Sequence, residues 1–285
     1  MTRLLAVCAD DFGLTTGISA GIARLAHAQR LTAVSCVTNS PHWAASARLL
    51  RGLPASIEVG LHLNFTDGRP LSPRLARRWP RLPGPVWLLA QAHLRLLPIS
   101  QLRNEVHEQL AAFNEAAGRT PAFIAGHRHM HHLPGLREII LDMAEHVQPL
   151  PALRSTGRLL GAGDGLRRWL VEHGGGRALD TELGQRVIAH NPALLGAYDF
   201  RQPDYGALVR GWLAALPEEG GLLFCHPGKH LAADPADPIG AARERELAYL
   251  GSAAFGADLA AAGVALGQVW QHARQVERVE TSTTG

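Results

Sequence analysis

Cysteine is scarce in this chain. Only Cys8, Cys36 and Cys225 occur among 285 residues. They are far apart and odd in number, so no disulfide framework is implied. Each sits in an apolar, strand-like run, where a buried thiol is expected. Long hydrophobic stretches are lacking too. No window approaches a charge-free spanning helix, and the N-terminus meets Asp10 and Asp11 too early for a signal peptide. No transmembrane segment is therefore expected. A large excess of one charge is also missing, since the formal net charge is +3. Arg74, Arg77, Arg78 and Arg81 form a local basic patch, but the prolines beside them suit a solvated loop. No nucleic-acid partner is expected. What remains, 46% hydrophobic and 19% charged, is an ordinary globular composition. A cytoplasmic enzyme is the default expectation.

Against this background one stretch stands out. Gly126–His132 reads GHRHMHH and places His127, His129, His131 and His132 within six residues. As a strand leaving the core, it would point His127, His129 and His131 to one face. Imidazole is a good ligand for zinc and related ions. Only one or two of the row need touch a metal, and the others would orient ligands or meet substrate. A histidine-rich surface loop is the alternative.

Polar residues recur at the ends of apolar strands. Leu4–Ala9 reads as a buried strand ending at Asp10 and Asp11, with a helix from Thr15 or Thr16 to about Ala28. One carboxylate there can bind a metal while the other accepts a proton. A helix cap beside a solvated aspartate is the alternative. Ile57–Leu63 reads as a strand carrying His62, with Asn64 just after it. A histidine in an apolar strand needs a hydrogen bond or a metal. Ala152–Arg154 is a short strand whose arginine would fix a carboxylate or contact substrate. Gly221–Cys225 is a strand followed directly by His226. Active sites of barrels and open α/β sheets lie at such strand ends.

Helices fill the intervals. Trp43–Leu53, Ile99–Ala117, Leu136–His146, Thr181–His190, Gly206–Leu216 and Ala241–Leu250 read as helical. Asp67–Pro85 is a long connection rich in proline and arginine. With the short helix expected at Val86–Leu97, it makes an inserted lid over about 67–98. Trp79 and Trp87 in this lid are candidates for sugar stacking, though tryptophan mostly serves packing. The alternation predicts one α/β domain over 1–274, its mostly parallel sheet curved toward a barrel, and a flexible tail over 275–285.

Four motifs together resemble the YdjC-like carbohydrate deacetylases. They are Ala9-Asp10-Asp11-Phe12-Gly13, Gly60-Leu61-His62-Leu63, Gly126–His131 and Cys225-His226-Pro227-Gly228. The resemblance runs from near residue 3 to about residue 270. It implies a deformed (β/α) barrel of the polysaccharide-deacetylase type and one divalent metal, magnesium or zinc. It further implies Asp11, His62 and His127 as metal ligands and Asp10 as the proton acceptor. Arg154 would orient Asp10, and His226 would help protonate the leaving amine. Asn64, His129, His131, Trp79 and Trp87 are the remaining candidates for substrate contact or ligand support. The implied substrate is an acetylated amino sugar, or a lipid-linked one of the hopanoid type, and a homodimer is implied as well. A non-catalytic carbohydrate-binding barrel is the rival reading. The chain departs from the family just before the histidine row. Phe123 and Ala125 stand at usually polar positions, and Arg128 stands where glutamine or histidine is common.

Overall fold

The computed structural model describes residues 2–161, 164–231, 234 and 237–271. The tail expected over 275–285 lies outside the described residues. Eight strands form one parallel sheet among those residues: β1 (Arg3–Phe12), β2 (Ala33–Cys36), β3 (Glu58–Leu63), β4 (Phe123–Gly126), β5 (Ala152–Leu153), β6 (Leu194–Leu195), β7 (Gly221–Cys225) and β8 (Val264–Leu266). Their order is β5-β4-β3-β2-β1-β7-β6, and β8 pairs only with the first residues of β1. Isolated bridges Leu153–His190 and Leu159–Leu194 link the region of β5 to that of β6. The sheet therefore curls into a deformed barrel whose closing seam is single contacts rather than a ladder.

Eleven described helices connect the strands. They are α1 (Thr16–His27), α2 (Trp43–Ala47), α3 (Pro73–Arg78), α4 (Pro85–His93), α5 (Ile99–Ala117), α6 (Leu136–Glu145), α7 (Gly165–Val171), α8 (Arg177–Gln185), α9 (Tyr205–Ala215), α10 (Gly240–Leu250) and α11 (Ala253–Ala261). None is long and apolar enough to cross a membrane. Local chemistry sets their ends. Thr15 caps α1 by accepting from the Ile18 N–H, and Gly118, at φ 66°, ends α5. The helix expected at Thr181–His190 begins instead at Arg177 and stops at Gln185, because Arg186–Val187 turn back and Val187 takes φ 56°. The helix expected over Trp43–Leu53 tightens into a 3-10 turn from Arg48.

Most strands divide their side chains between two cores. Outward residues such as Leu5, Val7, Ala9, Val59, Leu61, Ile124 and Leu223 pack under the helices. Inward residues fill the barrel: Ala6 and Cys8 from β1, Ala33 from β2, Phe123 and Ala125 from β4, Leu222 and Phe224 from β7. Phe123 and Ala125 thus pack inside the barrel, below the strand ends. Room for the Phe123 ring comes from Gly60, where a Cβ would stand 2.6 Å from the ring atoms. Burying a phenylalanine in this way stabilises the fold by roughly 1.5–3 kcal/mol.

Candidate active site

The period-two rule carries each inward row up to a polar residue at its C-terminal end. Ala6 and Cys8 lead to Asp10, Ala33 to Ser35, and Gly60 to His62. Phe123 and Ala125 lead to His127, Ala152 to Arg154, and Leu222 and Phe224 to His226. Asp11 joins them by a different route. Between the pairs Ala9–Val34 and Phe12–Cys36, two residues of β1 oppose one of β2, which is a β-bulge. Asp11 sits there at φ 70°, a left-handed conformation that is uncommon for aspartate and costs on the order of 1 kcal/mol. The bulge brings two successive carboxylates to one side.

Asp11, His62 and His127 then meet. Their ligand atoms all lie within 4.8 Å of one another, and all three residues are buried. His127 Nδ1 is 3.0 Å from Asp11 Oδ1, and His62 Nε2 is 3.6 Å from the same oxygen. Ser35 Oγ, from the residue facing the bulge, holds His62 Nδ1 at 2.8 Å and leaves Nε2 turned to the cluster. Burial pushes the His62 ring down to about 3, against the pull of Asp10 and Asp11, so the ring is neutral at pH 7. A neutral imidazole fixed through its other nitrogen is the form that ligates a metal. The cluster fits one divalent ion.

Both aspartates are paired with arginine. Arg154 grips Asp10 with two nitrogens, at 2.6 and 2.7 Å, and its third contact is Cys8 Sγ at 3.1 Å. Burial alone would raise the Asp10 carboxyl, but Arg154, followed by His62, more than reverses this and holds it below the ordinary carboxylate value. Arg243 donates to Asp11 Oδ2 at 2.7 Å. Arg243, followed by His127, likewise overcomes burial and holds Asp11 well below that value. Both carboxylates are ionised at neutral pH.

His226 stands at the end of β7, across β1 from His62. Its ring packs edge-on against Phe200 and Phe224, with centroids 5.3 and 5.7 Å away. Burial pushes it down to about 4, so it too is neutral at pH 7. Its peptide is held at both ends by α10. Glu246 accepts from the His226 N–H and from the Tyr198 hydroxyl, and Arg243 donates to the His226 carbonyl at 3.4 Å. Arg243, Glu246, Tyr198, Phe200 and Ser35 are absent from the sequence-derived list of site residues. A signal for the first two lay in α10, where Arg243 falls on the stripe of Leu247 and Leu250, with Glu246 beside it. Charges on an apolar face of a helix mark buried partners.

Most of these groups open onto one cleft. Asp10, Asp11, His62, His127, His129 and His226 all reach it. The histidine row is not the expected strand. Arg128 and His129 take φ 54° and 62°, which winds His127–His132 into a 3-10 turn. His127 alone of the row meets Asp11. His131 turns under Gly126, where a Cβ would stand 2.6 Å from its Nδ1, and its Nε2 donates to the Arg154 carbonyl at 2.9 Å. His132 is buried against Thr156. Asn64 does not line the cleft. Its amide bonds Asn39, Thr66 and Asp67 and so shapes the turn after β3. Trp79 and Trp87 pack edge-on against each other, 5.4 Å apart. Of residues 67–98 only Asp67 lines the cleft.

The model of the YdjC-like protein family matches residues 4–261. The chain belongs to that family. Among curated relatives, it is 36% identical over 146 residues to a carbohydrate deacetylase of Homo sapiens, covering 48% of this chain and 44% of that one. It is 34% identical over 151 residues to a chitooligosaccharide deacetylase of Escherichia fergusonii, covering 50% and 56%. The matched region of this YdjC-like chain spans about half the length of those relatives. A solved structure titled a "putative cellobiose-phosphate cleavage protein" of Enterococcus faecalis V583 superposes with a TM-score of 0.73 at 20% identity, covering 94% of this chain and 98% of that one. That likeness shows the fold.

Proposed function

We propose that this chain hydrolyses the N-acetyl group of an acetylated amino sugar or oligosaccharide, with one divalent ion held by Asp11, His62 and His127. The observation carrying this reading is the meeting of that three-donor cluster with the arginine-held carboxylate of Asp10 in one cleft. Two imidazoles and one carboxylate suit zinc better than magnesium, which prefers oxygen. The bound ion supplies a Lewis acid for the acetyl carbonyl. Asp10 accepts the proton of the attacking water. Its Oδ2 faces the cluster, 4.0 Å from His62 Nε2, and Arg154 keeps it ionised and fixed in orientation. The proton that Asp10 takes up passes to the departing amine, toward which the neutral His226 ring offers its N–H as a hydrogen-bond donor. His129, with Nδ1 unpartnered among the described residues, meets the sugar. Three buried, unpaired cysteines suit the reducing cytoplasm.

An apolar wall of Leu159, Val171, Phe200, Phe224 and Ile239 also lines the cleft. It favours, as a second reading, an amino sugar joined to an apolar carrier. Metal analysis of the purified chain, then acetate release from free, oligomeric and lipid-linked acetylated amino sugars, tests both. Bound zinc with acetate release that a chelator abolishes is the expected result. A chain that binds no divalent ion and releases no acetate when zinc or magnesium is added is a carbohydrate-binding barrel instead.

A further inference from the structure

Residues 68–104 contain no aspartate or glutamate and seven arginines, whereas the whole chain is nearly balanced at 28 basic and 25 acidic residues. Arg103 pairs with Asp142. The other six, Arg69, Arg74, Arg77, Arg78, Arg81 and Arg95, are exposed and have no carboxylate partner among the described residues. The same segment exposes large apolar side chains. Val86 is 80% exposed, Leu94 64%, Leu96 58% and Trp87 45%, with Leu89 and Ile99 close behind. Helix α4 carries no charged residue, and its only polar side chains are Gln91 and His93. One side is buried through Leu88 and Ala92, and the other is apolar and faces water. A helix apolar on both sides requires a second cover.

The basic and apolar parts adjoin. The Trp79–Trp87 contact ties the end of α3 to α4. Arg74, Arg77 and Arg78 share one surface hollow with Ser100 and Gln101, next to Ile99. We infer that this surface, α3 through the start of α5, binds the face of an anionic lipid bilayer. Arginines meet the headgroups while Val86, Trp87, Leu94 and Leu96 enter the boundary of the acyl region. Tryptophan suits that boundary, with an apolar body and a polar tip. Charge decides against the other covers. A second copy of the chain docked here by a two-fold would set unpaired guanidinium groups against their own kind, with no acid to offset them. A nucleic acid would satisfy the arginines and leave the apolar residues wet. The attachment is peripheral and independent of the reaction assigned above.

Co-sedimentation with vesicles tests it. The full chain is expected to pellet with vesicles of phosphatidylcholine containing phosphatidylglycerol, weakly with phosphatidylcholine alone, and less as salt rises. Each arginine near such a surface is worth roughly fivefold in partitioning, so Arg74→Ser/Arg77→Ser/Arg78→Ser should weaken it about a hundredfold. Leu94→Ser/Leu96→Ser should lower the binding that survives high salt. Failure to pellet with anionic vesicles at low salt overturns the inference, as does equal binding by the wild type and both variants. A solution dimer that Leu94→Ser/Leu96→Ser separates overturns it in favour of self-association.

Discussion

Arg154 and Arg243 stand at one extreme of what arginine does in this chain, and Arg74, Arg77 and Arg78 at the other. The first two are buried, and each is locked onto a carboxylate at a strand end. The other three are exposed and face no acid. A buried guanidinium left unpaired costs several kcal/mol, so it is retained only where something fixes it. An exposed one costs little and adds little to stability. The buried pair fixes the geometry of the site. The exposed group sets what the outer surface attracts.

The largest effect is expected where the buried group meets chemistry. Asp10→Asn should lower kcat by about 10^2 to 10^4, while the content of bound divalent metal stays as in the wild type. Asp11→Asn should lose the metal as well. Near-normal turnover in Asp10→Asn would dissolve the distinction between the two carboxylates.

Removing the partner of Asp10 comes next. Arg154→Ala strands a buried carboxylate and should cost about 3–5 kcal/mol of stability, read from the denaturation midpoint. It should also raise the Asp10 pKa, because the guanidinium is what holds it low. On the proposed mechanism Asp10 works deprotonated, so the acid limb of the pH–rate profile should move to higher pH. Unchanged stability and an unmoved limb would show that the pair is dispensable.

Glu246 gives a third comparison, a buried acid with no strong cationic partner. Burial lifts it to about 7, more than its bonds from Tyr198 and His226 lower it. Below the ordinary carboxylate range the folded and unfolded chains both hold this proton. Between that range and about 7 only the folded chain does, so stability falls as pH rises through the window. The full loss is about 3 kcal/mol. Glu246→Gln has no proton to lose. Its unfolding free energy should therefore change less than the wild type's between about pH 5 and about pH 8. Parallel pH dependence in the two would mean that Glu246 ionises as an exposed residue does.

The division between buried and exposed groups was partly legible in the sequence. Strand-end polar residues were legible through their recurrence: a run ending at Asp10 or His62 alone reads as well as a cap or a satisfied histidine, but Asp10, His62 and His226 together put polar groups at one end of the sheet. The parallel α/β architecture followed from the same runs. Other features depend on backbone geometry that residue types do not encode. Asp11 turns inward only because of a bulge and a left-handed φ. The histidine row was open to reading as a strand or as a surface loop, and two left-handed residues fold it into a turn. Arg243 and Glu246 were not singled out in the helix expected over Ala241–Leu250. Helix α11 was missed because an alanine-rich apolar run before β8 reads equally well as the approach to a strand.

The smallest expected effect is also the sharpest test of the opening contrast. Arg74→Ser/Arg77→Ser/Arg78→Ser removes three charges, where Arg154→Ala removes one. The side chains leaving are exposed and make no ion pair among the described residues. The triple variant should therefore change the unfolding free energy by no more than about 0.5 kcal/mol per site, as surface changes usually do. Some gain is reasonable, since it relieves repulsion between arginines three and four apart on α3. Denaturant titration beside Arg154→Ala would put both variants on one scale. A loss of several kcal/mol in the triple variant would mean that these arginines support the fold. Its loss of vesicle binding would then report unfolding rather than a missing contact. A stable, folded triple variant that no longer binds vesicles would leave surface attraction as the role of these arginines.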